Sequence, residues 1–334
     1  MKRYLFFLLF CSNISFAQND YNQLLKNTVD LVENNYVSFE DHIEGKEDYY
    51  NNYLKKEIFR DHLSSQDELI RILVKYIEFF NDKHLALSRE YLYNEEECNS
   101  NNSKWFESEI VNSKTVYLKI NSFSNSKLTS QLLKKSLDVD SMNHRDNLII
   151  DLRENGGGNY KGFHQLLQFI ATNNIYMRNT KLLVTKENWE CHKQRVGLGE
   201  YNVKYDGKLM TSPWENSEDY LVLHYKHTCT YEYPKRVAIL VGRNTGSAAE
   251  QFVLCGKQSL KVKIFGQNTS GTVDNGFINS YELIKDSLYL NYATTKKIDF
   301  DSNEVTSKGI SPDFYLDNDN QVKQILKYFE YWDK

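Results

Sequence analysis

The chain has 334 residues, 41 of them Lys or Arg and 45 Asp or Glu, for a formal net charge of -4. With 40% hydrophobic and 26% charged residues it has the composition of a globular protein, which excludes a disordered chain. The near-neutral balance argues against nucleic-acid binding by bulk electrostatics, and only three prolines with 15 glycines exclude collagen-like or low-complexity structure.

Lys2 and Arg3 precede an apolar run from Tyr4 to Phe10, and Ser15-Phe16-Ala17 follows as a small-x-small cleavage signal. Residues 1–17 are therefore expected to be a secretory signal peptide cut after Ala17. The run falls far short of the roughly 20 apolar residues that span a bilayer, and no later stretch is long enough. Phe10, just before Cys11, is bulkier than the residue lipoproteins carry there. Export, to a periplasm or outside the cell, permits disulfides, and Cys191 with Cys229 is the first pair to test. The alternative grouping, Cys191-His192 with His224-x-x-His227-x-Cys229, matches no established zinc spacing. No metal and no cofactor are expected.

From residue 20 to 80 the pattern is helical. Ser65-x-x-Glu68 reads as a capping box, followed by Leu69, Ile70, Leu73, Ile77 and Phe80 at helical spacing, with Asn81 and Asp82 closing the helix. Residues 46–60 look like a further amphipathic helix. From about residue 114 strands and helices alternate. Strands are expected at 115–120, 148–152, 237–241, 261–265, 278–284 and 287–292. Helices are expected at 128–137, 163–170, 248–255 and 320–331, with Cys255 as plain core. This order predicts an α/β core behind a small N-terminal helical domain. The expected divisions are the signal peptide (1–17), a helical domain (18–95) and a core domain (96–334).

Two strand ends run into glycine-bearing turns. In Asp151-Leu152-Arg153-Glu154-Asn155-Gly156-Gly157-Gly158 the glycines leave backbone N–H groups open to an anionic oxygen, but no Gly-Lys-Ser/Thr follows to make a phosphate loop. In Gly242-Arg243-Asn244-Thr245-Gly246-Ser247-Ala248-Ala249-Glu250, Ser247 stands where a helix begins. There it serves either as an N-cap or as a nucleophile whose oxyanion sits at the positive end of the helix dipole. A nucleophilic serine needs a base from elsewhere in the chain.

Together these segments resemble the tail-specific, or C-terminal-processing, serine peptidases. The matching stretches are Ile150 to Gly158, Gly246 to Glu250, Gly266-Gln267-Asn268-Thr269-Ser270-Gly271, Gly309-Ile310-Ser311-Pro312-Asp313 and the strand from Tyr117 to Phe123. The resemblance implies an α/β fold with a Clp protease/crotonase-like β/α spiral core. One branch of that family places a lysine base directly after the Thr-x-Gly turn, where this chain has Thr272. The tricorn-core branch takes a histidine from an Asp-x-His segment, matched here by Asp82-Lys83-His84.

By that resemblance Ser247 is the nucleophile and His84 the general base. Glu304 is the third member, although it lies five positions before Gly309 and Lys83 stands where tricorn-like proteins have a serine. Gly157, Gly158 and Ala248 would form the oxyanion hole. The implied partner is a peptide or an unfolded protein. Only 30 residues separate His84 from the strand at Thr115, too few for the PDZ domain that many relatives carry there. A catalytically inactive relative that binds peptides or small apolar ligands in the same cleft remains the alternative.

Overall fold

A computed structural model describes residues 20–90, 105–124, 129, 131, 145–190, 204–205, 208–209, 220–227, 231–297, 308–317 and 319–332. The signal peptide, most of the 128–137 helix, Cys98, Cys191, His192, Cys229 and Glu304 lie outside the described residues, and with them the disulfide and metal readings.

The chain opens with helices α1 (Tyr21–Asn35) and α2 (Phe39–Ile43). Next comes α3 (Glu47–Tyr49), which passes through one π turn (Tyr50–Leu54) into α4 (Lys55–Ile58). Helix α5 (Gln66–Glu78) begins at Ser65, whose Oγ accepts the Glu68 N–H at 3.3 Å. The return bond of the capping box is displaced by one residue, because the Glu68 carboxylate accepts the N–H of Ser64 rather than that of Ser65. The helix stops short of Asn81, whose φ of 47° cannot continue it.

Thirteen strands are described. They are β1 (Ala86–Ser88), β2 (Phe106–Asn112), β3 (Thr115–Ile120), β4 (Asn147–Asp151), β5 (Ile175–Leu183), β6 (Lys204–Tyr205), β7 (Lys208–Leu209), β8 (Tyr220–His227), β9 (Arg236–Val241), β10 (Val262–Gly266), β11 (Asn275–Ile284), β12 (Leu288–Lys297) and β13 (Phe314–Tyr315). The larger sheet runs β13-β10-β9-β4-β3-β2, parallel from β13 to β3 with β2 antiparallel at the edge. A second sheet runs β1-β12-β5-β8 with β11 also paired to β12, and β6 and β7 form a separate hairpin. The region expected to form one helix from 163 to 170 is two short ones, α6 (Lys161–His164) and α7 (Leu167–Ile170). Helices α8 (Ala248–Gly256) and α9 (Gln321–Trp332) lie close to their expected positions.

The interiors of β4 (148–150) and β9 (237–241) are apolar because both faces of the sheet are covered. Side chains alternate between faces. Leu148, Ile150, Val237, Ile239, Val241 and Ile264 face one core together with Phe163 of α6 and Phe252 of α8. Ile149, Ala238, Leu240 and Phe265 face a second core against Ile325 and Phe329 of α9. The N-terminal helices make a third core with the second sheet, in which Leu25, Val32, Leu69 and Leu73 pack with Leu288, Leu290 and Tyr292. Among the described residues no helix is long and apolar enough to cross a membrane.

Candidate active site

Because β3, β4, β9 and β10 are parallel, the turns that follow them all emerge at one edge of the sheet, the edge where α/β folds collect ligands. Backbone hydrogen bonds tie these turns together. Phe123 N–H donates to Gly157 O (2.8 Å), Gly246 N–H to Asn155 O (2.9 Å) and Ser270 N–H to Thr245 O (2.8 Å). The polar residues of the two glycine-bearing motifs hold this layout. Asp151 takes a two-pronged contact from Arg153 and the hydroxyl of Tyr117, and Asn155 donates to Ile120 O while accepting the Gly157 N–H. Asp313 accepts the Ile264 N–H and so fastens the closing motif to β10.

Ser247 is the residue immediately before α8 and has φ 49° and ψ -115°, a conformation that costs a non-glycine residue of order 1–3 kcal/mol. The strain is held by its surroundings. Its N–H donates both to Glu250 Oε2 (3.0 Å) and to Thr272 Oγ1 (2.8 Å). Glu250 is fully buried and its carboxylate also accepts Thr269 Oγ1, Gly271 N–H, Thr272 N–H and Thr272 Oγ1. It thereby fixes the turn from Thr269 to Thr272, and the Thr272 hydroxyl braces the Ser247 backbone.

Gly157 lies directly against Ser247. A Cβ built on it would stand 2.8 Å from Ser247 Cβ and 3.0 Å from Ala248 N. The Gly157 amide is already donated to Asn155 Oδ1 at 2.9 Å. The amides of Gly158 and of Ala248, at the first position of α8, have no hydrogen bond among the described residues.

His84 comes from the other half of the molecule, on the turn between α5 and β1. Its Nδ1 is 3.6 Å from Asp82 Oδ1, and its N–H donates to the same oxygen at 2.8 Å. The Asp82 carboxylate is nearly buried and accepts Tyr36 OH (2.5 Å) and Asn275 Nδ2 (2.6 Å) on its other oxygen. Burial alone would raise its pKa. The His84 ring, the Tyr36 hydroxyl and the His84 amide outweigh that and hold the carboxyl well below the usual range. Asp82 is a partner for His84 that sequence reading passed over. The signal was the Asp-x-His spacing itself, which lets an aspartate accept the amide two residues on.

The two halves meet through the segment from Ser270 to Asn275. Lys83 Nζ donates to Ser270 O (2.9 Å), Asn275 donates to Asp82, and Thr272 of the same segment holds the Ser247 amide. No hydrogen bond joins Ser247 Oγ to His84. Cys255 is buried in α8 as expected, its thiol pushed up to about 12 by burial, which makes it inert core.

The family model of peptidase family S41 matches residues 114–316, more than half of the chain. This chain belongs to peptidase family S41. That family is the C-terminal-processing or tail-specific peptidases. No curated protein matches the sequence. Among solved structures, mature CPAF is similar over 93% of this chain and 95% of its own at 12% identity, with a TM-score of 0.60. A lipoprotein from Streptococcus agalactiae is similar over 96% of this chain and 99% of its own at 16% identity, with a TM-score of 0.57. The tricorn protease is similar over 93% of this chain and 36% of its own at 12% identity, with a TM-score of 0.54. At these identities the likeness is one of fold: a mixed α/β architecture with an N-terminal helical region.

Proposed function

We propose that this S41 chain is an exported serine peptidase that cleaves peptides or unfolded proteins through an acyl-enzyme, with Ser247 as nucleophile and His84 as general base. In this reading residues 18–95 form a helical domain and residues 96–334 a peptidase core of the Clp protease/crotonase type. The observation that carries the reading is the backbone of Ser247. A strained residue is kept at the start of a helix, beside a glycine and an open amide, by a buried carboxylate that also holds the Thr269–Thr272 turn. Strain of this kind persists where the surroundings over-determine it, and such places are commonly functional.

In the reaction the Ser247 oxygen bonds to the substrate carbonyl carbon while its proton passes to His84. The carbonyl oxygen becomes an oxyanion at the amides of Ala248 and Gly158, each such donor contributing about 3 kcal/mol, while the Gly157 amide stays with Asn155. The C–N bond then breaks and His84 gives its proton to the departing amine. Water attacks the ester with His84 again as base, releasing the acid and restoring the serine. Asp82, which faces His84 Nδ1, serves as the positioning carboxylate, with Glu304 as the other candidate for that role. A serine–histidine pair that is not hydrogen-bonded in an unliganded site is compatible with this chemistry, since such contacts tighten on substrate. The 17 residues between Ser88 and Phe106 are too few for a domain of about 50 residues, which supports a site without a PDZ groove.

The missing Ser247–His84 hydrogen bond also favours a second reading, a catalytically silent relative that binds peptides in the same cleft. A fluorophosphonate probe decides between them. Labelling of the wild type that disappears in Ser247→Ala and falls sharply in His84→Ala supports the peptidase, and a wild type that takes no label supports the binder.

A further inference from the structure

Tyr36 stands immediately after α1 and is only 1% exposed. Its ring packs in the core of the helical region, stacked on His42 with centroids 5.9 Å apart and edge-on to Phe80 at 5.8 Å. Its hydroxyl leaves that core and donates to Asp82 Oδ2 at 2.5 Å, where Asn275 Nδ2 also donates at 2.6 Å. Burial, and then the Asp82 charge, push the hydroxyl far above the ordinary tyrosine value, so it stays a donor at any working pH.

These contacts decide which way the carboxylate points. The terminal torsion of an aspartate is soft on its own, and two donors on one oxygen hold it against rotation. The other oxygen, Oδ1, is thereby kept where it accepts the His84 N–H at 2.8 Å and faces His84 Nδ1 at 3.6 Å. The grip on Asp82 is itself anchored. Ser38 Oγ donates to Asn275 Oδ1 at 2.8 Å, which turns the Asn275 amide so that Nδ2 meets Asp82. Val37 N–H, between Tyr36 and Ser38, donates to Ala293 O of β12 at 3.1 Å and fastens the loop to the second sheet. A carboxylate facing Nδ1 favours the neutral imidazole that carries its proton there and leaves Nε2 free to accept one.

We infer that Tyr36 is a positioning residue for His84: acting through Asp82, it sets the tautomer and ring orientation that make Nε2 the basic nitrogen. The inference rests on the peptidase reading for the use made of His84, but not for the tautomer, which is measured without turnover. Two-bond nitrogen–proton spectra of histidine-labelled protein, recorded where imidazole is neutral, read the tautomer. The His84 signals are assigned by their loss in His84→Gln. Wild type is expected to carry the proton on Nδ1, and Tyr36→Phe, which keeps the ring, to show a mixture of both tautomers. The limiting rate of fluorophosphonate inactivation should fall about tenfold in Tyr36→Phe, with the half-saturating probe concentration unchanged. In the Asp82→Asn background the same substitution should cost nothing further.

Tyr76→Phe controls for stability, because it removes another buried hydroxyl of the same core, one that lies 2.9 Å from Tyr50 OH. A lower melting temperature with wild-type tautomer and rate is expected there. A wild type protonated on Nε2, an unchanged tautomer in Tyr36→Phe, or a rate loss of the same size in the Asp82→Asn background overturns the inference. A tautomer change in a protein whose wild type takes no label overturns only the peptidase reading and leaves Tyr36 as the residue that orients His84.

Discussion

Gly157 and Ser247 touch so closely that a methyl group on the glycine would stand 2.8 Å from the serine Cβ and 2.9 Å from Gly246 O. Gly157 also has φ +110°, which side chains rarely adopt. Gly157→Ala is therefore expected to cost about 2 kcal/mol or more of stability and to abolish fluorophosphonate labelling, because the turn that bears Ser247 must move. Gly156→Ala is the internal control. Nothing lies within 4 Å of its would-be Cβ, so stability within about 0.5 kcal/mol of wild type and retained labelling are expected. Thermal melts and labelling of the two variants side by side check the claim.

The strain at Ser247 predicts an unusual split between stability and activity. Both Ser247→Ala and Ser247→Gly remove the nucleophile and should take no label. Glycine accepts φ 49° without a Cβ penalty and alanine does not, so the glycine variant should be about 1 kcal/mol more stable than the alanine variant. Equal denaturant midpoints for the two would show that the backbone there carries no strain.

Much of this layout was legible in the sequence, and the reasons are local. The runs at 148–150 and 237–241 read as buried strands because both faces of the sheet are covered, so no polar residue interrupts them. Helix α5 announced itself through Ser65 and the spacing of Leu69 and Leu73. Strands β2, β5 and β8 escaped notice. Strand β2 exposes most of its residues at a sheet edge, and Glu107 and Glu109 carry no hydrophobic alternation worth reading. Ser247 and His84 were singled out through motif spacing. The contacts of Asp82 were not legible, because they come from Tyr36 and Asn275, which are distant in sequence and meet it only after the helices dock on the second sheet. The bonds of Glu250 to Thr269, Gly271 and Thr272 are long-range facts that no local pattern contains.

Glu250 gives a prediction of its own. Its two oxygens accept five hydrogen bonds besides being sealed from solvent. Glu250→Gln keeps the shape but replaces one acceptor by an N–H₂ group that faces donors. Leaving such groups unsatisfied in a buried place costs about 3 kcal/mol. Urea unfolding should show that loss, and labelling at Ser247 should fall with it, since the Ser247 and Thr272 amides lose their common anchor. A variant of wild-type stability would mean that the carboxylate does not organise the turn.

Asp82 and Glu304 are the two proposed partners of His84, and substitution separates them. Asp82→Asn is expected to lower kcat by about 10²- to 10⁴-fold with little change in KM, the pattern of a positioning residue beside a catalytic histidine, while Glu304→Gln has a small effect. The opposite ranking would assign the role to Glu304. A pH series adds a readout that turnover does not supply. The Asp82 carboxyl is depressed in the folded protein relative to an unfolded aspartate near pKa 3.9, so its charged form stabilises the fold. That contribution is fully present above about pH 4 and is lost as pH falls toward the depressed folded value. Wild type should therefore exceed Asp82→Asn in stability at neutral pH, and the gap should narrow only below about pH 4. A gap that is constant down to strongly acid pH, or one that closes near neutrality, would mean that Asp82 is not held as a buried, bonded carboxylate beside His84.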